Sequence, residues 1–195
     1  MRTQERIDKT LKVAYIEINN IVALMFTNKN LSDFLETVED ILIDGYVMGA
    51  KDTLEMLGRS TTEIDELGVI PDLQAALNQP TEGLTYKNRT ILGFSEYSTK
   101  EMQRLIGNEF HRLYNTGAYD IAKKLETSKG VKVYKTWHTM RDEKVRDTHA
   151  YLEDETIGID DYFYTWDGDK AKYPGGFEKA ENVIGCRCRL TYSVL

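Results

Sequence analysis

Ser98 and Glu101 stand just before the longest apolar-periodic run in the chain, and this pair constrains the fold more than any other feature. A serine that accepts an N3 amide, with a glutamate reaching back to the serine amide, satisfies donors that a helix start leaves open. The helix it opens, over 99–127, carries Met102, Ile106, Phe110, Leu113, Gly117, Ile121 and Leu125 on one stripe, and Ser128 to Gly130 end it. Glu109 lies beside that stripe, where a charge needs neutralising.

The residues before it read as helices. Ile7, Leu11, Ala14 and Ile18 recur at helical spacing over 3–26, and Asn28 to Asn30 break the pattern. Asn30 and Asp33 then cap a second helix over 32–57, with Phe34, Val38, Ile41, Tyr46 and Leu54 inward. The two form an antiparallel hairpin. Gly45 and Gly49 either allow close packing against the first helix or weaken the second by roughly 1 kcal/mol each. Ser60 and Glu63 fit a capping box for a short helix ending at Gly68, and Pro71 starts another through Leu77. Residues 78–97, with Asn78, Pro80, Gly83, Asn88 and Gly93, read as loop and as the boundary between two parts, 1–97 and 98–195.

Beyond the long helix the periodicity changes. Val131–Thr139 has strand composition, and Thr139 with Asp142 fits a capping box for a helix over 140–153. Residues 154–182 hold Tyr162, Phe163, Tyr164, Trp166, Tyr173 and Phe177 among glycines, as a packed loop does. The end, 183–194, alternates: Cys186, Cys188, Leu190, Tyr192 and Val194 on one face, Arg187, Arg189, Thr191 and Ser193 on the other. Its unpaired ladder groups predict antiparallel pairing with Val131–Thr139, cysteines inward and arginines outward. The fold class is α+β, mostly α: a helical N-terminal region, then a long helix and a small module with a two- or three-stranded antiparallel sheet.

Charge excludes one class of partner. Residues 1–98 carry 9 basic and 16 acidic side chains, whereas 99–195 carry 16 of each. Phosphate would be repelled by the first half, so direct DNA binding is not expected. No apolar run approaches a membrane span, and no phosphate-binding glycine loop or G-x-S-x-G elbow occurs. Cys186 and Cys188 are too close in sequence for an ordinary disulfide. Asp167-Gly168-Asp169 lacks the other ligands of a calcium loop and reads as a polar turn.

Several residues recur in a known order. Trp137-His138-Thr139, then Asp142, Val145-Arg146 and His149, then Phe163, Tyr173-Pro174 and Cys186-Arg187-Cys188 follow W-x-T, D-x-x-V-R-x-x-H, F, Y-P and N-C-R-C. That order resembles the C-terminal module of the phage Mu F-like head morphogenesis family. Glu109, Arg112 and Asn115 match the helix that precedes the module, while Gly107, Asn108 and Gly185 depart. The resemblance spans about 104–190. It implies a structural minor head component of the virion, assembled in host cytoplasm, that contacts a portal or capsid protein or its own copies, with no cofactor or catalysis required. The chain is then a compact member or a fragment.

Asp142, Arg146 and His149 fall at i, i+4 and i+7, on one face of a helix. As an enzyme, a small hydrolase or toxin-like effector, the chain would use His149 as a base, with Cys186 or Cys188 as nucleophile. As a structural network, Arg146 pairs with Glu109 and His149 bonds a loop carbonyl. The resemblance favours the structural reading. A third reading is a zinc-stabilised adaptor with His149, Cys186, Cys188 and perhaps His138 as ligands.

Overall fold

In a computed structural model, which describes residues 3–68, 70–80 and 83–195, the Ser98 hydroxyl accepts the Glu101 amide and the Glu101 carboxylate accepts the Ser98 amide. The helix so capped, α6 (Thr99–Lys129), ends at Gly130 in the left-handed conformation. Before it come α1 (Thr3–Thr27), α2 (Leu31–Met56), α3 (Glu63–Glu66), α4 (Ile70–Asn78) and α5 (Tyr86–Glu96). Asn30 caps α2 by accepting the amides of Ser32 and Asp33.

The glycines of α2 pack on α6. A β-carbon at Gly49 would overlap the backbone carbonyl of Tyr114, and one at Gly45 would stand 2.8 Å from the Phe110 ring. Gly117 returns the contact, since a β-carbon there would overlap the Tyr46 carbonyl. Each helix therefore lays bare backbone on the other, closer than side chains on both would permit. Close packing against α1, one of the two sequence readings, is thus replaced by close packing against α6.

Around this contact α1, α2, α4, α5 and α6 share a core that includes Ile7, Phe34, Tyr46, Met102, Ile106 and Leu113. A second core holds Ala118, Tyr119 and Ala122 of α6 with Trp137, Phe163, Phe177, Cys186, Cys188 and Leu190. The long helix serves both.

The second core is built on a sheet of order β2-β1-β5, from β1 (Val133–His138), β2 (Thr156–Gly158) and β5 (Arg189–Val194). β1 pairs antiparallel with β5 in the register Trp137 to Leu190, as the alternation predicted, but the ladder begins only at Arg189, and 184–188, expected as strand, has no regular structure. Between β1 and β2 lies the single turn α7 (Asp147–Ala150). A small ribbon, β3 (Phe163–Tyr164) with β4 (Lys170–Ala171), and the turn α8 (Ala180–Val183) complete the module.

Four expectations are corrected. Residues 78–97 are not a loop: Thr85 accepts the Asn88 amide and caps α5, and Gly93 gives room to the Tyr97 ring. Residues 81 and 82 of that stretch, and residues 1 and 2 of the first helical region, lie outside the described residues. Ser60 and Glu63 form no capping box, because the Ser60 hydroxyl accepts the amide of Thr62 and not that of Glu63. The helix over 140–153 shrinks to α7, since Thr139 bonds Glu153 instead and Arg141 takes a positive φ of 52°. Finally, Arg189 keeps the face opposite Cys188 and Leu190 but is buried there, because α1 covers that face and the Arg189 guanidinium grips the Asp8 carboxylate at 2.7 and 2.9 Å.

The backbone contact gives a sign test. At an ordinary helix position Gly→Ala stabilises by up to about 1 kcal/mol. At Gly107 the nearest side-chain atom to an added β-carbon is 3.9 Å away, so Gly107→Ala should follow that rule. Gly49→Ala should instead destabilise by about 2–3 kcal/mol, the usual cost of overpacking. Urea unfolding of the two variants measures both signs.

Candidate functional site

The motif residues converge on one buried imidazole. His149 projects from α7 into an aromatic box, stacked on Phe177 at 5.2 Å and edge-on to Trp137 at 5.7 Å. Phe163 also packs on Trp137, with ring centroids 5.0 Å apart. The remaining side of His149 faces sulfur: Nδ1 lies 3.7 Å from Cys186 Sγ and 3.5 Å from Cys188 Sγ. All three residues are buried. A hydrogen bond from the Cys188 thiol, with help from His111 and His149, holds Cys186 well below the usual thiol range. The same bond and burial push Cys188 up. The cavity beside His149 and Cys188, lined by Met140, Arg146, Gly185 and Arg187, measures about 10 Å³, room for a single water.

His138, the fourth metal candidate, is elsewhere. It lies on the opposite face of β1, bonded to Thr191 at 2.8 Å and facing Glu153 and Asp154. Burial lowers its pKa, opposed by those two carboxylates. Sequence spacing thus brings His149, Cys186 and Cys188 together and leaves His138 out.

The polar network over Glu109, Asp142, Arg146 and His149 is divided. Glu109 pairs with Arg89 of α5 and Arg112 of its own helix, and Arg112 also donates to the Ala76 carbonyl at the end of α4. Arg146 is not its partner; it donates to the Ile184 carbonyl. Asp142 forms a two-pronged exposed pair with Arg187 at 2.7 and 2.8 Å. The reason is local: with 140–146 non-helical, the i, i+4, i+7 spacing no longer places these side chains on one face. Pro174 is buried, and a β-carbon on the following Gly175, at a φ of 86°, would stand 3.3 Å from Arg112. The Tyr173-Pro174-Gly175 turn therefore sits on the charged cluster of α6.

Two further polar anchors escaped the sequence reading. His111 joins three elements: its Nδ1 meets the Tyr15 hydroxyl of α1 at 2.8 Å and its Nε2 the Cys188 carbonyl at 2.7 Å. A carbonyl only accepts, so Nε2 carries the proton and Nδ1 accepts from Tyr15. Its position beside the apolar stripe, four residues before Asn115, was the available signal. Lys135 lies fully buried on the inward face of β1, where its ammonium donates to the carbonyls of Ile159, Asp161 and Lys172. Burial brings its pKa down to about 7. The Asp167–Asp169 turn uses its carboxylates internally. Asp169 accepts the amides of Lys170, Glu178 and Lys179, and Asp167 pairs with Lys179.

Every motif residue that converges here lies within 72–191, the stretch that matches the sequence profile described as Phage Mu protein F like protein. The chain belongs to that family. Among curated proteins, this member is similar to the Minor head protein GP7 of Bacillus phage SPP1, 30% identical over 86 residues. The match covers 44% of this chain and 27% of that protein, so the chain spans about a quarter of the relative's length. No solved structure matches this family member.

Glu109 and Arg146 should behave very differently on truncation. Glu109→Ala leaves Arg112, 4% exposed, buried without its counter-charge, and should cost about 3–5 kcal/mol. Arg146→Ala removes one hydrogen bond and should cost about 1 kcal/mol. Denaturant unfolding of the two proteins compares them directly.

Proposed function

We propose that this chain is a structural component of a phage head, acting in head morphogenesis as a minor head protein. The observation that carries this reading is the family match over 72–191, with the Minor head protein GP7 as a relative. Buried residues that tie elements together support it: Glu109 joins α5 and α6, His111 joins α1, α6 and the β5 approach, and Lys135 holds the aromatic loop. Such a body presents a fixed surface to a partner, as an assembly component requires.

The partner surface is the N-terminal helical region, 1–97, and the module of 98–195 forms the family-specific body behind it. The acidic balance of the first half suits a basic protein face and opposes DNA. Along α1, Val13, Ile16 and Leu24 are exposed apolar side chains on a helix whose other face is buried. No helix among the described residues is long and apolar enough to cross a membrane. The partner we assign is the portal protein, met in host cytoplasm during assembly, and the destination is the virion head.

Point variants test this better than truncation, because α2 supplies much of the α6 core. Ile16→Glu with Leu24→Glu alters side chains 54% and 66% exposed and should leave thermal stability nearly unchanged. The doubly substituted protein should be missing from purified heads. Heads that carry it at the normal level would contradict the assignment of α1 as the docking face.

A further inference from the structure

We propose that His149, Cys186 and Cys188 bind a zinc-class divalent cation that ties α7 to the segment leading into β5, with a water as the fourth ligand. The argument begins with unmet hydrogen-bonding capacity. His149 is 1% exposed, yet Nε2 has no hydrogen-bond partner and Nδ1 meets only sulfur. Buried imidazole nitrogens are ordinarily satisfied by oxygen or nitrogen partners, and thiols are weak ones. A cation on Nδ1 supplies the strong partner that this ring lacks.

Geometry supports the same assignment. Zinc–sulfur bonds of about 2.3 Å and zinc–nitrogen bonds of about 2.0–2.1 Å give a tetrahedral nitrogen–sulfur edge of about 3.6 Å. The two edges here are 3.5 and 3.7 Å, and the three ligand atoms lie within 4.8 Å of one another. A cavity of about 10 Å³ adjoins His149 and Cys188, with room for the one water that a fourth ligand requires.

Two neighbours oppose the burial that pushes the Cys188 thiol up: the Arg146 guanidinium, and the Trp137 indole, whose N–H has no oxygen or nitrogen acceptor. Both sulfurs bind as thiolates, so the proton that Cys188 carries leaves to solvent on binding, and the cation's two charges are balanced by the two thiolates. The ion would hold together parts that are otherwise short: α7 is a single turn, and Ile184–Cys188 has no regular structure. Affinity should fall as pH is lowered, because protons then compete for both sulfurs and for the imidazole.

The test is a cobalt titration of the purified full chain under reducing conditions. One cobalt per chain should bind with sulfur-to-cobalt charge-transfer absorption, and zinc should displace it and raise the melting temperature. Cys188→Ser should weaken zinc by about 100-fold or more, exceeding what loss of an outer-shell partner costs. His138→Asn, in the separate cluster with Glu153 and Asp154, should leave affinity unchanged. A wild-type titration without the sulfur band would overturn the proposal on its own, even if a variant fails to fold. So would zinc affinity that Cys188→Ser leaves intact.

Discussion

The close approach of α2 and α6 is the contact on which the other packing depends. Gly49 and Gly117 each expose bare backbone where the partner helix presents a carbonyl, Tyr114 on one side and Tyr46 on the other. Glycine is costly inside a helix, by roughly 1 kcal/mol against alanine, so two such positions facing each other need an offset. It comes from dispersion and burial over the length of two long helices, with Phe34, Val38, Leu42, Ile106 and Leu113 withdrawn from water beside them.

Because α6 is fixed in this way, it presents two further faces. One carries Glu109 and Arg112 toward α4, α5 and the Tyr173-Pro174-Gly175 turn. The other carries Ala118, Tyr119 and Ala122 under the sheet. His111, between them, ties α1 to the Cys188 carbonyl at the entrance of β5. A small sheet with a single-turn helix would have little core of its own, so the module borrows stability from α6. Buried ion pairs and histidine links of this kind specify one arrangement.

Sequence legibility followed the reach of each signal. Caps and strands were local: Asn30 and Ser98 announced their helices, and the alternation announced the pairing of 189–194 with β1, though not that 184–188 stays irregular. The failures arose where tertiary contacts overrode local pattern. Arg189 alternates as an outward residue, but nothing in a strand's period tells that Asp8 of α1 will cover that face. The helix over 140–153 was misread because Thr139 spends its hydroxyl on Glu153 rather than on a cap. α5 was hidden because Asn88 and Gly93 look like breakers until Thr85 and the Tyr97 ring account for them. In the site, spacing brought His149, Cys186 and Cys188 together, whereas Lys135 could not be found, since a lysine on a strand ordinarily marks a solvent face.

Native-state hydrogen exchange tests the dependence of the module on the α2–α6 contact most directly. The amides around Gly49 and Gly117 should exchange only through global unfolding, and those of β1 around Trp137 should open with the same free energy. Sheet amides that stay protected while the middle of α2 opens at lower free energy would contradict the account, because the module would then stand without the helix pair.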